Sequence, residues 1–84
     1  MKFEEVLPLI KEGKKVCRLG WNNKGMLVKL IDNRNYKIHE DLAEGCFEMS
    51  FLAIKTANNG LVPWLASQTD ILAEDWEVEE NVCY

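Results

Sequence analysis

The sequence lacks the long apolar run, roughly 18–20 residues, that a membrane-spanning helix needs, and it opens with no secretory signal. It also lacks an excess of basic residues: Asp and Glu outnumber Lys and Arg by 14 to 10, and the formal net charge is −4. Nucleic-acid-binding proteins usually carry a basic patch, because released counterions supply much of their affinity. We therefore expect a cytoplasmic protein that binds no DNA, no RNA and no membrane.

Cysteine and histidine are too few and too scattered to predict a metal site. Cys17, Cys46 and Cys83 are odd in number and form no C-x-x-C pair, and no H-x-x-x-H motif is present. Structural zinc sites need four such ligands at short spacings. We expect reduced thiols, no metal and no cofactor. His39, beside two acidic residues, is expected at the surface rather than as a base or ligand.

The motifs of common catalytic sites are missing as well. The sequence has no phosphate-binding glycine loop, no nucleophile elbow and no dinucleotide-binding glycine motif. Asp70, Glu74 and Asp75 could pair as acid and base, but the solvated face of a helix is the favoured interpretation. An enzyme is therefore the weakest hypothesis, and we expect no catalytic residues.

What is present is the patterning of a single α+β domain over residues 1–84. Phe3, Val6, Leu7 and Ile10 follow the spacing of an apolar helix face, although Pro8 is expected to delay that helix or kink it. Ser67 predicts the N-cap of a short helical turn before the last strand. Segments 14–19, 26–31, 51–56, 61–64 and 76–79 predict a mostly antiparallel sheet of about five strands.

Two connections carry their own predictions. The Asn-Asn-Gly sequence at 58–60 predicts a hairpin with a type I′ turn, in which both central residues have positive φ. Residues 32–48 are polar and too many for a structureless loop in a compact domain, so a helical turn is expected at 40–43.

The second and third strands are apolar on both faces, and one short helix can cover only one face of a sheet. The other face must be covered as well, and another copy of the chain is the simplest cover. The sequence therefore predicts a homo-oligomer.

Two tryptophans lie beside groups that could bind a nucleotide. Trp21 stands in a glycine-bounded loop rich in amides, and Trp64 precedes the Ser67 cap. Tryptophan faces stack on nucleobases, and arginine and helix N-termini suit phosphates. The alternative is that these rings are core, since large aromatics are mostly buried. That is the interpretation for Trp76, whereas Trp64 is left open and Trp21 is expected to be exposed or in a pocket.

Three runs of the sequence resemble a known protein family: F-E-E-V-L, K-E-G-K-K-V-C-R-L-G-W-N-N-K-G-M and V-P-W-L-A-S-Q-T-D-I-L-A-E-D-W. They resemble the second family of phage anti-Thoeris proteins, over residues 2–31 and 51–79. The resemblance implies a sponge, meaning a protein that holds a cyclic ADP-ribose-type immune signal of the Thoeris system without cleaving it. It also implies a homotetramer of small α+β protomers with ligand pockets between them. Some relatives also take up cyclic oligonucleotides.

Carried onto this chain, the resemblance implies that Trp21 stacks on the base. Arg18 and the N–H groups at 67–69 would bind the pyrophosphate, while amide side chains and Asp70 would bind ribose hydroxyls or base edges. The expected ligand-binding residues are Arg18, Trp21, Asn22, Asn23, Trp64, Ser67, Gln68, Thr69 and Asp70.

Two other classes of function stay open. A protein-interaction module would dock its apolar second face on a host protein and bind no nucleotide. A nucleotide-processing enzyme would convert the signal into new products.

Overall fold

The protein folds as an N-terminal helix packed on an antiparallel sheet. The computed structural model describes residues 1–21, 25–34, 36 and 44–79. In chain order its elements are α1 (Phe3–Lys11), β1 (Val16–Arg18), β2 (Leu27–Ile31), β3 (Phe51–Lys55), β4 (Leu61–Pro63), α2 (Gln68–Leu72) and β5 (Trp76–Val78). The predicted α+β class is confirmed, including the N-terminal helix and the short helix before the last strand.

The five strands lie in the order β4-β3-β2-β1-β5, and every neighbouring pair is antiparallel. The first four strands follow one another across the sheet, whereas β5 returns after α2 to the outer edge of β1. This return places Trp76 opposite Arg18 and Val78 opposite Val16. Residues near position 18 and residues 70–76 therefore become neighbours despite their separation in sequence.

The core lies between α1 and one face of the sheet. Val6 and Ile10 of the helix are fully buried against Val28, Trp76 and other apolar residues of β1, β2 and β5. This agrees with the apolar helix face predicted from the sequence. The helix begins at Phe3 and continues through Pro8, so the proline does not delay its start.

The hairpin between β3 and β4 is confirmed, but its predicted type I′ turn is wrong. Asn59 has a φ of 69°, whereas Gly60 is not among the glycines with positive φ. The Thr56 N–H donates to the Gly60 carbonyl at 2.7 Å, and the Asn59 N–H donates to the Thr56 carbonyl at 3.0 Å. These bonds enclose residues 57–59 in a three-residue loop, a type whose last residue is left-handed. The extra residue removes the need for two adjacent positive φ angles.

The face of the sheet opposite α1 is partly covered within the single chain. Leu27, Ile31 and Ala53 point to this face and are buried. The Tyr36 ring lies 5.5 Å from that of Phe51, edge to face, at the end of the same face. Part of the second apolar face is therefore buried without another copy of the chain, and the homo-oligomer stays a prediction.

The cysteines differ in state. Cys17 on β1 is disulfide-bonded, so the prediction of a reduced thiol is wrong for this residue. Disulfides depend on which Cα atoms the fold brings within about 6 Å, and spacing in sequence does not reveal this. Cys46 is a free thiol, as predicted, and Cys83 lies outside the described residues.

Two further predictions concern the segment that connects β2 and β3. The helical turn at 40–43 and the surface position of His39 both lie outside the described residues. None of the helices in the described ranges is long and apolar enough to cross a membrane.

Candidate functional site

Arg18, at the end of β1, lies between two carboxylates. Its Nε donates to Asp75 Oδ1 at 2.9 Å, and its Nη1 donates to Asp70 Oδ1 at 3.0 Å. The Gly20 N–H donates to the other Asp75 oxygen at 2.7 Å. Gly20 makes room for this bond, because a Cβ there would lie 2.7 Å from that oxygen. The guanidinium is thus held by one charge-assisted bond to each of two carboxylates.

Asp70 also completes the cap of α2. The Asp70 N–H donates to Ser67 Oγ at 3.1 Å, and Ser67 Oγ donates to Asp70 Oδ2 at 2.9 Å. The predicted N-cap at Ser67 is therefore confirmed, with the side chain of Asp70 returning to the cap residue. This carboxylate links the cap of α2 to Arg18 on β1.

The ion pair between Arg18 and Asp75 shifts the pKa of both groups. The hydrogen bond from Arg18 lowers the pKa of the Asp75 carboxyl, against an opposing effect of burial. The same bond to Asp75 raises the pKa of Arg18. Asp75 therefore stays ionised well into the acidic range, as an ion-pair partner rather than a proton donor.

Four aromatic rings pack beside this network, centred on the fully buried Trp76. The rings of Phe3, Trp21 and Trp64 lie 5.4, 5.4 and 5.8 Å from the Trp76 ring. The Trp76 Nε1 donates to the Asp70 carbonyl at 2.9 Å. Trp76 is therefore core, as predicted. Trp21 and Trp64 are half-buried, so each combines a packed edge with an accessible part.

The structure thus brings together five of the nine predicted ligand-binding residues. We call this region the arginine–tryptophan cluster; its members are Phe3, Arg18, Trp21, Trp64, Ser67, Asp70, Asp75 and Trp76. Gln68 and Thr69 are exposed on α2 beside it, and Asn22 and Asn23 lie outside the described residues. Among the residues that the structure describes, no three His, Cys, Asp or Glu side chains are grouped as a metal site.

A second site, which the sequence did not predict, lies on the opposite face of the sheet. It is a cleft of about 360 Å³. We call it the lysine cleft, and it is lined by Lys15, Leu27, Lys29, Lys55, Asn59 and Leu61.

The strand register explains how the lysine cleft forms. Lys55 on β3 pairs with Leu27 on β2, and Leu61 on β4 pairs with Lys55. Val16 pairs with Val28, so the preceding Lys15 falls opposite Lys29. Residues opposite each other in an antiparallel pair share a face. Three lysines from neighbouring strands therefore surround the buried Leu27. Register is the signal that would have revealed the site, and composition alone could not supply it.

The two regions meet at Trp21. Its ring contacts Trp76 in the arginine–tryptophan cluster, and it also packs against Cys17 and Leu27. Leu27 is the apolar residue at the base of the lysine cleft. The Lys55 Nζ donates to the Gly25 carbonyl at 2.7 Å, which connects the cleft to a residue four positions after Trp21.

Comparison with known proteins gives two matches. The model of the Tad2-like family, described as the Thoeris anti-defense 2-like domain, matches residues 1–79. A protein described as Thoeris anti-defense 2, from Bacillus phage SP01, is 38% identical over 84 aligned residues that cover 93% of each chain. The family match includes both the arginine–tryptophan cluster and the lysine cleft.

Proposed function

The chain belongs to the Thoeris anti-defense 2-like family, and we propose that it is an anti-defence sponge. In this proposal it binds a cyclic ADP-ribose-type immune signalling nucleotide, holds it without cleaving it, and so keeps the Thoeris effector inactive. It acts in the cytoplasm of an infected bacterium. The observation that carries the proposal is the family match over residues 1–79. The localisation rests on that match and not on the state of the cysteines.

Binding of an aromatic base is supported by the position of Trp21. The residue is half-buried, with its ring held edge-on by Trp76. A ring that is fixed on one side and accessible on another can accept a nucleobase with little loss of side-chain entropy. Stacking of this kind contributes about 1–3 kcal/mol per base. Trp21 is therefore the residue to which we assign the base.

The contacts of Arg18 with two carboxylates limit its role as a pyrophosphate ligand. Its guanidinium already bonds two carboxylates, and its side chain is only 18% exposed. The cluster thus sets one positive charge against two negative ones, which opposes the approach of an anion. We propose that Arg18, Asp70 and Ser67 position the loop that carries Trp21, and that any contact with the ligand is made through their remaining polar atoms.

The contacts of Asp70 and Asp75 support binding of the nucleotide without cleavage. Asp75 and Asp70 are both hydrogen-bonded to Arg18. The bond from Arg18 keeps the pKa of Asp75 below its ordinary value, whereas general acids are tuned towards the working pH. In the proposal these carboxylates stabilise the fold, and no residue is assigned a catalytic role.

We also propose a homotetramer, and the exposed apolar surface supports an assembly. Leu65, before α2, and Leu72, the last residue of α2, are 92% and 75% exposed, and Leu61 on the edge strand β4 is 60% exposed. Large apolar side chains that are exposed in a single protomer are typical of contacts between protomers. Native mass spectrometry at micromolar concentration would show a tetramer, and a monomeric mass would contradict this part of the proposal.

The sponge is tested by incubating the purified protein with a panel of cyclic ADP-ribose isomers. After removal of free ligand and heat denaturation, chromatography should recover the bound nucleotide unchanged. New products would identify an enzyme instead. If no isomer binds, a panel of cyclic di- and oligonucleotides tests the alternative signal, and uptake of one of these in place of the isomers would shift the proposal to that class.

The assignment of Trp21 is tested separately. Trp21→Ala should weaken nucleotide binding at least fivefold, because one stacked base is worth about 1–3 kcal/mol. Trp21→Phe keeps a ring at the same place and should lose less. Wild-type affinity in the alanine variant would show that the stacking assignment is wrong.

A second candidate function is a module that inhibits a host protein. The exposed leucines around α2 favour it, because the same surface could bind a different protein. Thoeris defence relieved in cells by a protein that binds neither nucleotide panel would favour this candidate. Relief that disappears together with nucleotide binding, as in Trp21→Ala, would favour the sponge.

A further inference from the structure

The lysine cleft concentrates positive charge in an acidic protein. The chain has 10 basic residues against 14 acidic ones, and Lys15, Lys29 and Lys55 line the same cleft as Leu27. Like charges that face each other across neighbouring strands destabilise a sheet. Such a grouping therefore needs a compensating partner, either in the chain or from outside it.

Among the described residues, the contacts that these three lysines make with their neighbours compensate part of this charge. Lys15 Nζ lies 3.8 Å from a Glu79 oxygen, and both side chains are well exposed, so the pair is weak. The pKa of Asp32 is lowered mainly by the Arg34 side chain and to a smaller degree by Lys29. Lys55 bonds a neutral carbonyl, that of Gly25, which orients its ammonium group without neutralising it.

The shape of the cleft suits a small ligand with an apolar part and an anionic part. Its volume of about 360 Å³ falls in the usual range of ligand pockets. Leu27 forms the base and Leu61 the wall on β4, while the lysines and Asn59 supply donors around them. Ammonium groups on flexible stems bind phosphates as point charges and tolerate several ligand geometries.

We propose that the lysine cleft binds the phosphate groups of a nucleotide, with the ribose against Leu27 and Leu61. The inference rests on the proposed function only for the identity of the natural ligand, since the charge and shape of the cleft stand without it. It gives the pyrophosphate of the signal a binding site other than Arg18, whose guanidinium is engaged by two carboxylates.

The test is calorimetric titration of the purified protein with ADP, a nucleoside diphosphate, and with adenosine as an uncharged comparison. Wild type should bind ADP more tightly than adenosine, with an affinity that falls as salt is added. Lys29→Gln should weaken ADP binding about tenfold, because hydrogen bonds to charged groups are strong. Lys29→Arg keeps the charge and should bind within about threefold of wild type.

The matched control is Lys11→Gln, which removes one lysine charge at the exposed end of α1, on the other side of the sheet. It should leave ADP binding unchanged. Leu61→Glu provides a second variant that adds negative charge to the wall of the cleft, and it should also weaken binding. Equal ADP affinity in wild type, Lys29→Gln and Leu61→Glu would overturn the inference, and so would equal losses in Lys29→Gln and Lys11→Gln.

Failure of this inference can be told apart from failure of the sponge. If a cyclic ADP-ribose isomer is held intact with the same affinity by wild type and Lys29→Gln, the sponge stands and the cleft does not. If ADP binding depends on Lys29 but the protein holds no cyclic nucleotide of either panel, the cleft stands and the sponge does not.

Discussion

The arginine–tryptophan cluster and the lysine cleft lie on the same five-stranded sheet, but their charges are arranged differently. The cluster pairs opposite charges, whereas the cleft groups like charges. In the cluster, Arg18 is bonded to Asp70 and Asp75, and the buried Trp76 bonds the Asp70 carbonyl. In the cleft, lysines from neighbouring strands face one another around an apolar base. The first arrangement satisfies its polar groups within the fold, and in our proposal the second uses its positive charge to bind another molecule.

Apart from Trp21, to which we assign the base, this difference separates residues that stabilise the fold from residues that are able to bind a ligand. Satisfied networks rigidify a structure and offer little to a ligand, whereas grouped like charges cost stability until an anion arrives. Substitutions in the cluster should therefore lower the free energy of unfolding. Substitutions of cleft lysines should leave it nearly unchanged and alter binding instead. Each expectation below tests that separation.

The largest loss of stability is expected for Trp76→Ala. The ring is fully buried and contacts three other aromatic rings, and removing a buried Trp typically costs about 3–5 kcal/mol. Denaturant unfolding at a fixed protein concentration measures the change. The half-buried Trp64 is the matched comparison, and a loss for Trp64→Ala as large as for Trp76→Ala would contradict the central position of Trp76.

A smaller loss, about 2 kcal/mol, is expected for Arg18→Ala. The substitution leaves two carboxylates close together, 16% and 31% exposed, without their common partner. Lys29→Ala in the cleft is the comparison and should change the free energy of unfolding by less than about 0.5 kcal/mol. Equal losses in the two variants would remove the distinction between the regions.

The pH dependence of stability should follow from Asp75. Its pKa is lowered in the folded state, chiefly by the Arg18 side chain, below the ordinary value of 3.8. The unfolded state therefore binds a proton first as the pH falls, and the stabilisation present above pH 3.8 is lost as the pH drops towards the folded pKa. Asp75→Asn should flatten this acid limb in unfolding measurements. An unchanged limb in Asp75→Asn would assign the acid sensitivity to other carboxyl groups.

The smallest expected effect is that of the α2 cap. Ser67→Ala removes the hydroxyl that accepts from the Asp70 N–H and should cost about 1 kcal/mol. Thr69→Ala, at an exposed position in the same short helix, should cost nothing measurable or stabilise slightly. If the two variants behave alike in thermal unfolding, the cap does not contribute to global stability.

Much of the fold could be predicted because its signals are local. The spacing of Phe3, Val6 and Ile10 indicated α1, alternation indicated the strands, and Ser67 with Asp70 indicated the cap. The hairpin between β3 and β4 was predicted correctly, but its loop spans residues 57–59 and its turn is of a different type, because loop length depends on which residues pair across β3 and β4.

The candidate sites depend on contacts that no local pattern shows. The carboxylates that bond Arg18 lie 52 and 57 residues further along the chain, so its pairing could not be recognised from its own neighbours. The lysine cleft depends on strand register, and a shift of one residue would turn its lysines to the other face. The resemblance pointed to nucleotide-binding residues, but only the register brings Lys15, Lys29 and Lys55 together.

The separation of fold and binding is tested most directly by measuring, in one set of proteins, the unfolding free energy and the affinity for the cyclic ADP-ribose isomer that wild type retains. The account predicts that Asp75→Asn loses stability and keeps its affinity, whereas Lys29→Gln keeps its stability and loses affinity about tenfold. Full affinity in Lys29→Gln, together with lost affinity in a folded Asp75→Asn, would contradict it and place the phosphate-binding site, as well as the base that we assign to Trp21, in the arginine–tryptophan cluster.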